Sequence, residues 1–154
     1  MKKQFMFFLV AVFAIFLGSQ LTEAVLLVPY WQSLSAADFY SYYQAFGPTI
    51  GQFYTILTII AAVIPIGVSV YLGRIKAPGF RLALTSAVLA VLFVACFYVY
   101  FKGTNELFYL SAFSPTELKS ELIVWSQWHW GRVGLECFSL LFLILALTKK
   151  ELTR

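Results

Sequence analysis

Four apolar stretches, at about residues 5–28, 48–72, 82–101 and 122–148, limit what this chain can fold into. Each matches the about 20 residues, at 1.5 Å of rise apiece, that carry a helix through the hydrocarbon core of a bilayer. Hydrophobic residues make up 61% of the chain and charged residues 12%, with a mean hydropathy of +0.83. A soluble domain carries about a quarter charged residues. The expected fold is an all-α integral membrane protein, a bundle of four transmembrane helices. Its 154 residues suit a single membrane domain spanning 1–154, with no room for a separate soluble unit.

The first stretch closes at Pro29-Tyr30-Trp31, an aromatic ending suited to a membrane interface. Met1-Lys2-Lys3, an apolar run and then Gly18-Ser19-Gln20 have the outline of a secretory signal peptide. Apolar character resumes at Ala24-Val25-Leu26-Leu27-Val28, so the segment reads as a full first helix instead. In the second stretch Pro48 suits a first helical turn and Pro65 a kink. Eight basic residues (Lys2, Lys3, Arg74, Lys76, Arg81, Lys149, Lys150, Arg154) fall at one side of the bundle, against Lys102 and Lys119 at the other. The positive-inside rule then places both termini in the cytoplasm of a multi-pass protein of the cell's inner membrane. The net charge of +4 is no nucleic-acid signal, because the basic residues sit at helix ends and not on one face.

The two non-cytoplasmic connections are expected to be structured. Tyr30 to Gly47 is rich in aromatic residues, and Ser35 is placed to cap a helix through Asp38. It reads as an amphipathic helix lying over the bundle mouth between helices one and two. In the second connection, Ser114-Pro115-Thr116-Glu117 has the order of a capping box with proline at the first helical position. Helix four is thus expected to begin before Leu122. Cys96 and Cys137 lie at different depths with no Cys-x-x-Cys, which marks them as packing residues.

Ionisable side chains inside a span cost roughly 3 kcal/mol each on insertion scales and persist mainly when paired or useful. Here they gather in the outer half of the bundle. Glu23 lies below the outer end of helix one, with Tyr54, Thr55 and Thr58 in the outer part of helix two. On helix four, Trp125, His129, Arg132 and Glu136 follow at spacings of four, three and four, which puts them on one face, flanked by Trp128 and Trp130. Arg132 reaches Glu136 one turn on or Glu23 across the bundle, serving as a structural pair or as an anion anchor. His129, the only histidine, reads as a ligand or proton-transfer group. One polar pocket in the outer half follows.

The run Thr22-Glu23-Ala24-Val25-Leu26-Leu27-Val28-Pro29-Tyr30-Trp31, Asn105 after helix three, and Trp125, His129 and Arg132 on helix four together resemble a family of small bacterial and fungal membrane proteins that includes the anthrone oxygenases. The likeness extends over almost the whole chain. It implies a four-helix membrane bundle and, in the fungal members, oxygenation of an activated aromatic carbon without a recognised metal.

Three function classes follow. In the first, the bundle binds haem b with His129 as the axial metal ligand, Arg132 on a propionate, and Trp125, Trp128 and Tyr54 among the cofactor-binding residues. One His per chain leaves the second axial site open, filled by Glu23, or supplied by a second subunit of a homodimer. In the second, His129 is the base, Arg132 stabilises an oxyanion and Glu23 shares the site, in an oxygenase acting on a lipophilic aromatic or quinol. In the third, Glu23 is the proton-coupling carboxylate of a small transporter, a role that a buried Arg132 opposes for cationic cargo. A structural or partner-binding subunit is the remaining reading.

Overall fold

The computed structural model describes residues 3–149, so Lys2, Lys150 and Arg154 lie outside the described residues. The described chain is all-helical. Its four long rods are α1 (Gln4–Ser33), α2 (Ala36–Arg74), α3 (Phe80–Tyr109) and α4 (Pro115–Thr148), each long and apolar enough to cross a membrane. Consecutive rods run antiparallel and pack side by side, and α4 closes the ring against α1. The α1–α2 and α3–α4 connections therefore share one end, the aromatic end. Arg74, Lys76 and Arg81 mark the other, the basic end.

Local chemistry explains where the rods stop. Ser35 caps α2 by accepting from the Asp38 N–H at 3.2 Å. At Ser114 the capping box forms in both directions: the Glu117 N–H donates to Ser114 Oγ, and the Ser114 N–H donates to Glu117 Oε2 at 2.8 Å. At the far ends, Lys76 (φ 52°) and Ser111 (φ 53°) take the left-handed conformation. The Ala77 N–H reaches back to the Leu72 carbonyl and the Ala112 N–H to the Leu107 carbonyl, the paired pattern of a Schellman closure.

Two expected boundaries need correction. There is no separate amphipathic helix between helices one and two, because residues 36–47 are the first three turns of α2 itself. Pro48 is consequently an interior proline and not a helix start. The turn before it stays tight because Gly47 leaves room for the Tyr43 ring, which a Cβ there would meet at 3.0 Å. Helix three likewise runs past residue 101 to Tyr109.

Two apolar cores fill the bundle. Toward the basic end, Phe13, Phe16 and Phe93 interlock with Val68, Leu143 and small residues such as Ala61 and Ala90. There α3 and α4 approach closely enough for Ser86 and Ser139 to exchange hydrogen bonds with each other's backbone carbonyls, at 2.7 and 2.9 Å. Gly79 sits so near the Ala146 carbonyl that a Cβ would fall 2.2 Å from the oxygen. Toward the aromatic end, Trp31, Phe39, Tyr43, Phe101, Phe108 and Trp125 form the second core. A layer of buried polar side chains separates the two.

Candidate functional site

Two π-helical turns frame that layer. Glu23–Leu27 interrupts α1, and Phe97–Phe101 interrupts α3. A π turn inserts one residue into a helix and re-aims the side chains around it, and such turns recur at functional sites. Here the first opens on Glu23 and the second closes on Phe101. Just before the α1 turn, the backbone carbonyls of Ser19 and Gln20 accept side-chain hydrogen bonds from other helices, from Tyr54 at 3.1 Å and from His129 at 3.0 Å.

On α4 the expected stripe is real. Trp125, His129, Arg132 and Glu136 are all buried and share one face. Arg132 is the hub. Its Nη2 donates to Gln20 Oε1 and to His129 Nδ1, and lies 3.6 Å from Glu23 Oε2. Its Nε lies 3.7 Å from Glu136 Oε1. The guanidinium also stacks over the Phe101 ring, 4.6 Å from its centre, a cation–π contact in a dry setting. Arg132 thus meets both candidate acids, Glu23 across the bundle and Glu136 one turn on. One cation faces two carboxyls.

His129 is held on every side. Arginine only donates, so Nδ1 accepts from Arg132, and the ring proton must sit on Nε2, which donates to the Gln20 carbonyl. The ring stacks on Trp125 with centres 5.0 Å apart and is fully buried. Neither nitrogen keeps a free lone pair, and the ring does not border the cavity described below. The residues present therefore do not fit a haem held through His129 as axial ligand. Their arrangement suits His129 to positioning Arg132.

Beside the polar layer, toward the aromatic end, lies a cavity of about 290 Å³. Its walls are mostly aromatic and aliphatic, including Trp31, Tyr43, Phe97 and Phe101, and Glu23 and Arg132 supply its charged groups. Trp125 and Tyr54 border it as well, and Trp125 is steered by the hydrogen bond from its Nε1 to Asn105 Oδ1 at 2.9 Å. Of the expected site residues, Glu23, Arg132, Trp125 and Tyr54 meet here. Trp128 does not. It lies on the outer face of the bundle, 38% exposed and stacked flat on Tyr100 at 5.0 Å.

Two participants went unnoticed in the sequence. Gln20 is fully buried and links His129 and Arg132 to α1. Its signal was its place one turn before Glu23, on the same helix face. Trp31 reads as an interface anchor by position, yet it is 2% exposed, borders the cavity, and its Nε1–H has no hydrogen-bond partner. Glu23 Oε2 and Arg132 Nε are likewise without hydrogen-bond partners. Comparison of the chain with protein-family models, with curated proteins and with solved structures finds no match.

Proposed function

We propose that this chain is a membrane-embedded site for a lipophilic aromatic molecule carrying an ionisable oxygen, of the hydroxyarene or quinol class. Arg132 holds the negative charge and Glu23 takes the proton at that oxygen. The observation that carries this reading is the aromatic-walled cavity ending on two buried, incompletely paired groups of opposite charge. Its volume is near the lower bound of about 300 Å³ for small-molecule sites, so it suits a molecule of a few rings. A ligand O–H donates to Glu23, its proton moves to that carboxylate, and the aryloxide is then paired with a guanidinium pre-oriented by Gln20 and His129. The resemblance to anthrone oxygenases supports the same substrate chemistry, with Glu23 in place of His129 as the base. In that reading the ionised ring is the electron donor toward dioxygen.

The four helices cross an inner membrane with both termini cytoplasmic, in keeping with basic residues at one end of the bundle and aromatic residues at the other. The cavity opens sideways, not toward water. Ile59, Val63 and Tyr98 border it and are 59%, 60% and 68% exposed on α2 and α3. A ligand dissolved in the bilayer enters between these two helices.

The test is equilibrium binding of a hydroxynaphthalene probe to the protein in nanodiscs, read by quenching of tryptophan fluorescence. Arg132→Gln removes a charged hydrogen bond worth about 1.5–3 kcal/mol, which weakens binding about 10- to 100-fold. Val63→Trp fills the mouth and abolishes binding. Equal affinity in the wild type and both variants would overturn the proposal.

A further inference from the structure

Glu23 faces two spaces. Besides the ligand cavity, it borders a groove of about 320 Å³ between α1 and α2, lined by Thr22, Glu23, Leu26, Leu27, Tyr30 and Tyr54. Only Glu23 and Tyr54 belong to both, so these two side chains are the partition between cavity and groove.

The groove's chemistry differs from the lipid-facing surface around it. Three hydroxyls and one carboxyl line it. Thr22 and Tyr54 each spend their hydroxyl proton on a backbone carbonyl, of Gly18 at 2.9 Å and Ser19 at 3.1 Å, which leaves their oxygens as acceptors. Tyr30 is half exposed and lies about 10 Å nearer the aromatic end, seven residues along α1. Glu23 is 4% exposed and its Oε2 has no hydrogen-bond partner, although buried oxygens nearly always have one. Water takes about 30 Å³ per molecule, so the groove has room for a short file of waters beside these hydroxyls.

We propose that this groove is a second, ligand-independent route to Glu23, along which the carboxyl exchanges protons with water at the aromatic end. This rests on Glu23 acting as the proton acceptor for the cavity ligand. A ligand O–H bond breaks and the Glu23 carboxyl O–H forms. That proton then passes to a groove water, restoring the carboxylate beside Arg132. An occupied cavity, sealed from water by its own ligand, can in this way discharge its proton without releasing the ligand.

The experiment is labelling of the full-length protein in nanodiscs with a water-soluble carbodiimide, with modification of Glu23 read by peptide mass spectrometry. Glu23 becomes labelled in the wild type and in Val63→Trp, where the cavity mouth is filled. Labelling is lost in Leu26→Trp, which fills the groove from a position 66% exposed, and in Thr22→Leu, a second variant that blocks the groove with a smaller side chain. Absence of labelling in the wild type, its loss in Val63→Trp, or its persistence in both groove variants would overturn the proposal. Hydroxynaphthalene binding measured on the same samples separates the two ideas. Labelling through the groove without probe binding sinks the cavity ligand and leaves the groove, whereas probe binding with labelling unaffected by groove filling does the reverse.

Discussion

Arg132 is where the polar layer is most open to test. Substitution by Gln removes the cation that Glu23 Oε2 meets at 3.6 Å and Glu136 Oε1 at 3.7 Å, the donor to His129 Nδ1 at 3.0 Å, and the group resting on Phe101. Taking one partner from a buried ion pair costs about 3–5 kcal/mol, because the remaining charge is left uncompensated. At about 2–4 °C per kcal/mol for a chain of this size, Arg132→Gln lowers the melting temperature in detergent by roughly 6–20 °C. The two acids then respond differently to neutralisation. Glu136 is fully buried, and neither of its oxygens has a hydrogen-bond partner, so Arg132 is its sole compensation among the described residues. Glu23 borders both the cavity and the groove, so under the proposed groove route water can solvate it. Adding Glu136→Gln to Arg132→Gln therefore recovers most of the lost stability, and adding Glu23→Gln recovers less. Coupling energies between groups in contact run about 0.5–3 kcal/mol. Strict additivity in both double variants, or a wild-type melt for Arg132→Gln, refutes the hub.

Further outcomes follow from the same geometry. His129→Ala costs roughly 2–4 kcal/mol, since it opens a void beside Trp125 and strands the Gln20 carbonyl; an unchanged melting curve would count against the positioning role. Gly79→Ala drives a methyl group into the Ala146 carbonyl, so it separates α3 from α4 at the basic end and destabilises by about 1–3 kcal/mol in the same assay. Ser86→Ala removes a hydrogen bond that membrane helices value at about 0.6 kcal/mol, and the double change with Ser139→Ala is measurably less than additive. Ser114→Ala costs about 1 kcal/mol by removing the α4 cap, with faster hydrogen exchange confined to the first turn of α4.

The helices were legible because length and hydropathy alone fix them, but which face points inward was not. In a soluble helix, polar residues mark the outside. Here Phe13 and Phe16 are buried while Phe7 and Phe8 on the same rod are exposed, and lipid favours both equally, so the contrast is missing. The inward face shows only where a polar side chain has to be shielded, and this is why the Trp125–Glu136 stripe and Glu23 were readable. The cap at Ser35 is readable too, whereas Pro48, inside α2, does not mark a helix start. A proline also disfavours the helical conformation of the residue before it, through a clash with that residue's Cβ, and Gly47 has no Cβ to clash. The π turns left no mark in the sequence. The first opens on Glu23 and the second closes on Phe101, the ring beneath the Arg132 guanidinium.

The pairing pattern within the polar layer bears on the proposed ligand. A layer built only to hold helices together would close every buried group, since each one left open costs about 1–3 kcal/mol. His129 meets that standard, with both ring nitrogens bonded. Glu23 Oε2, Arg132 Nε and the Trp31 indole N–H do not, and these three belong to side chains that border the cavity, whereas Gln20 Nε2 and both Glu136 oxygens are open as well but lie off its wall. The open groups comprise an acceptor, a cation and a neutral donor within one aromatic enclosure. A flat molecule with an acidic oxygen at one end and a hydrogen-bond acceptor at the other matches the three that border the cavity. A hydrocarbon satisfies none of them, because it offers no polar atom, and a simple cation leaves the Arg132 and Trp31 donors open.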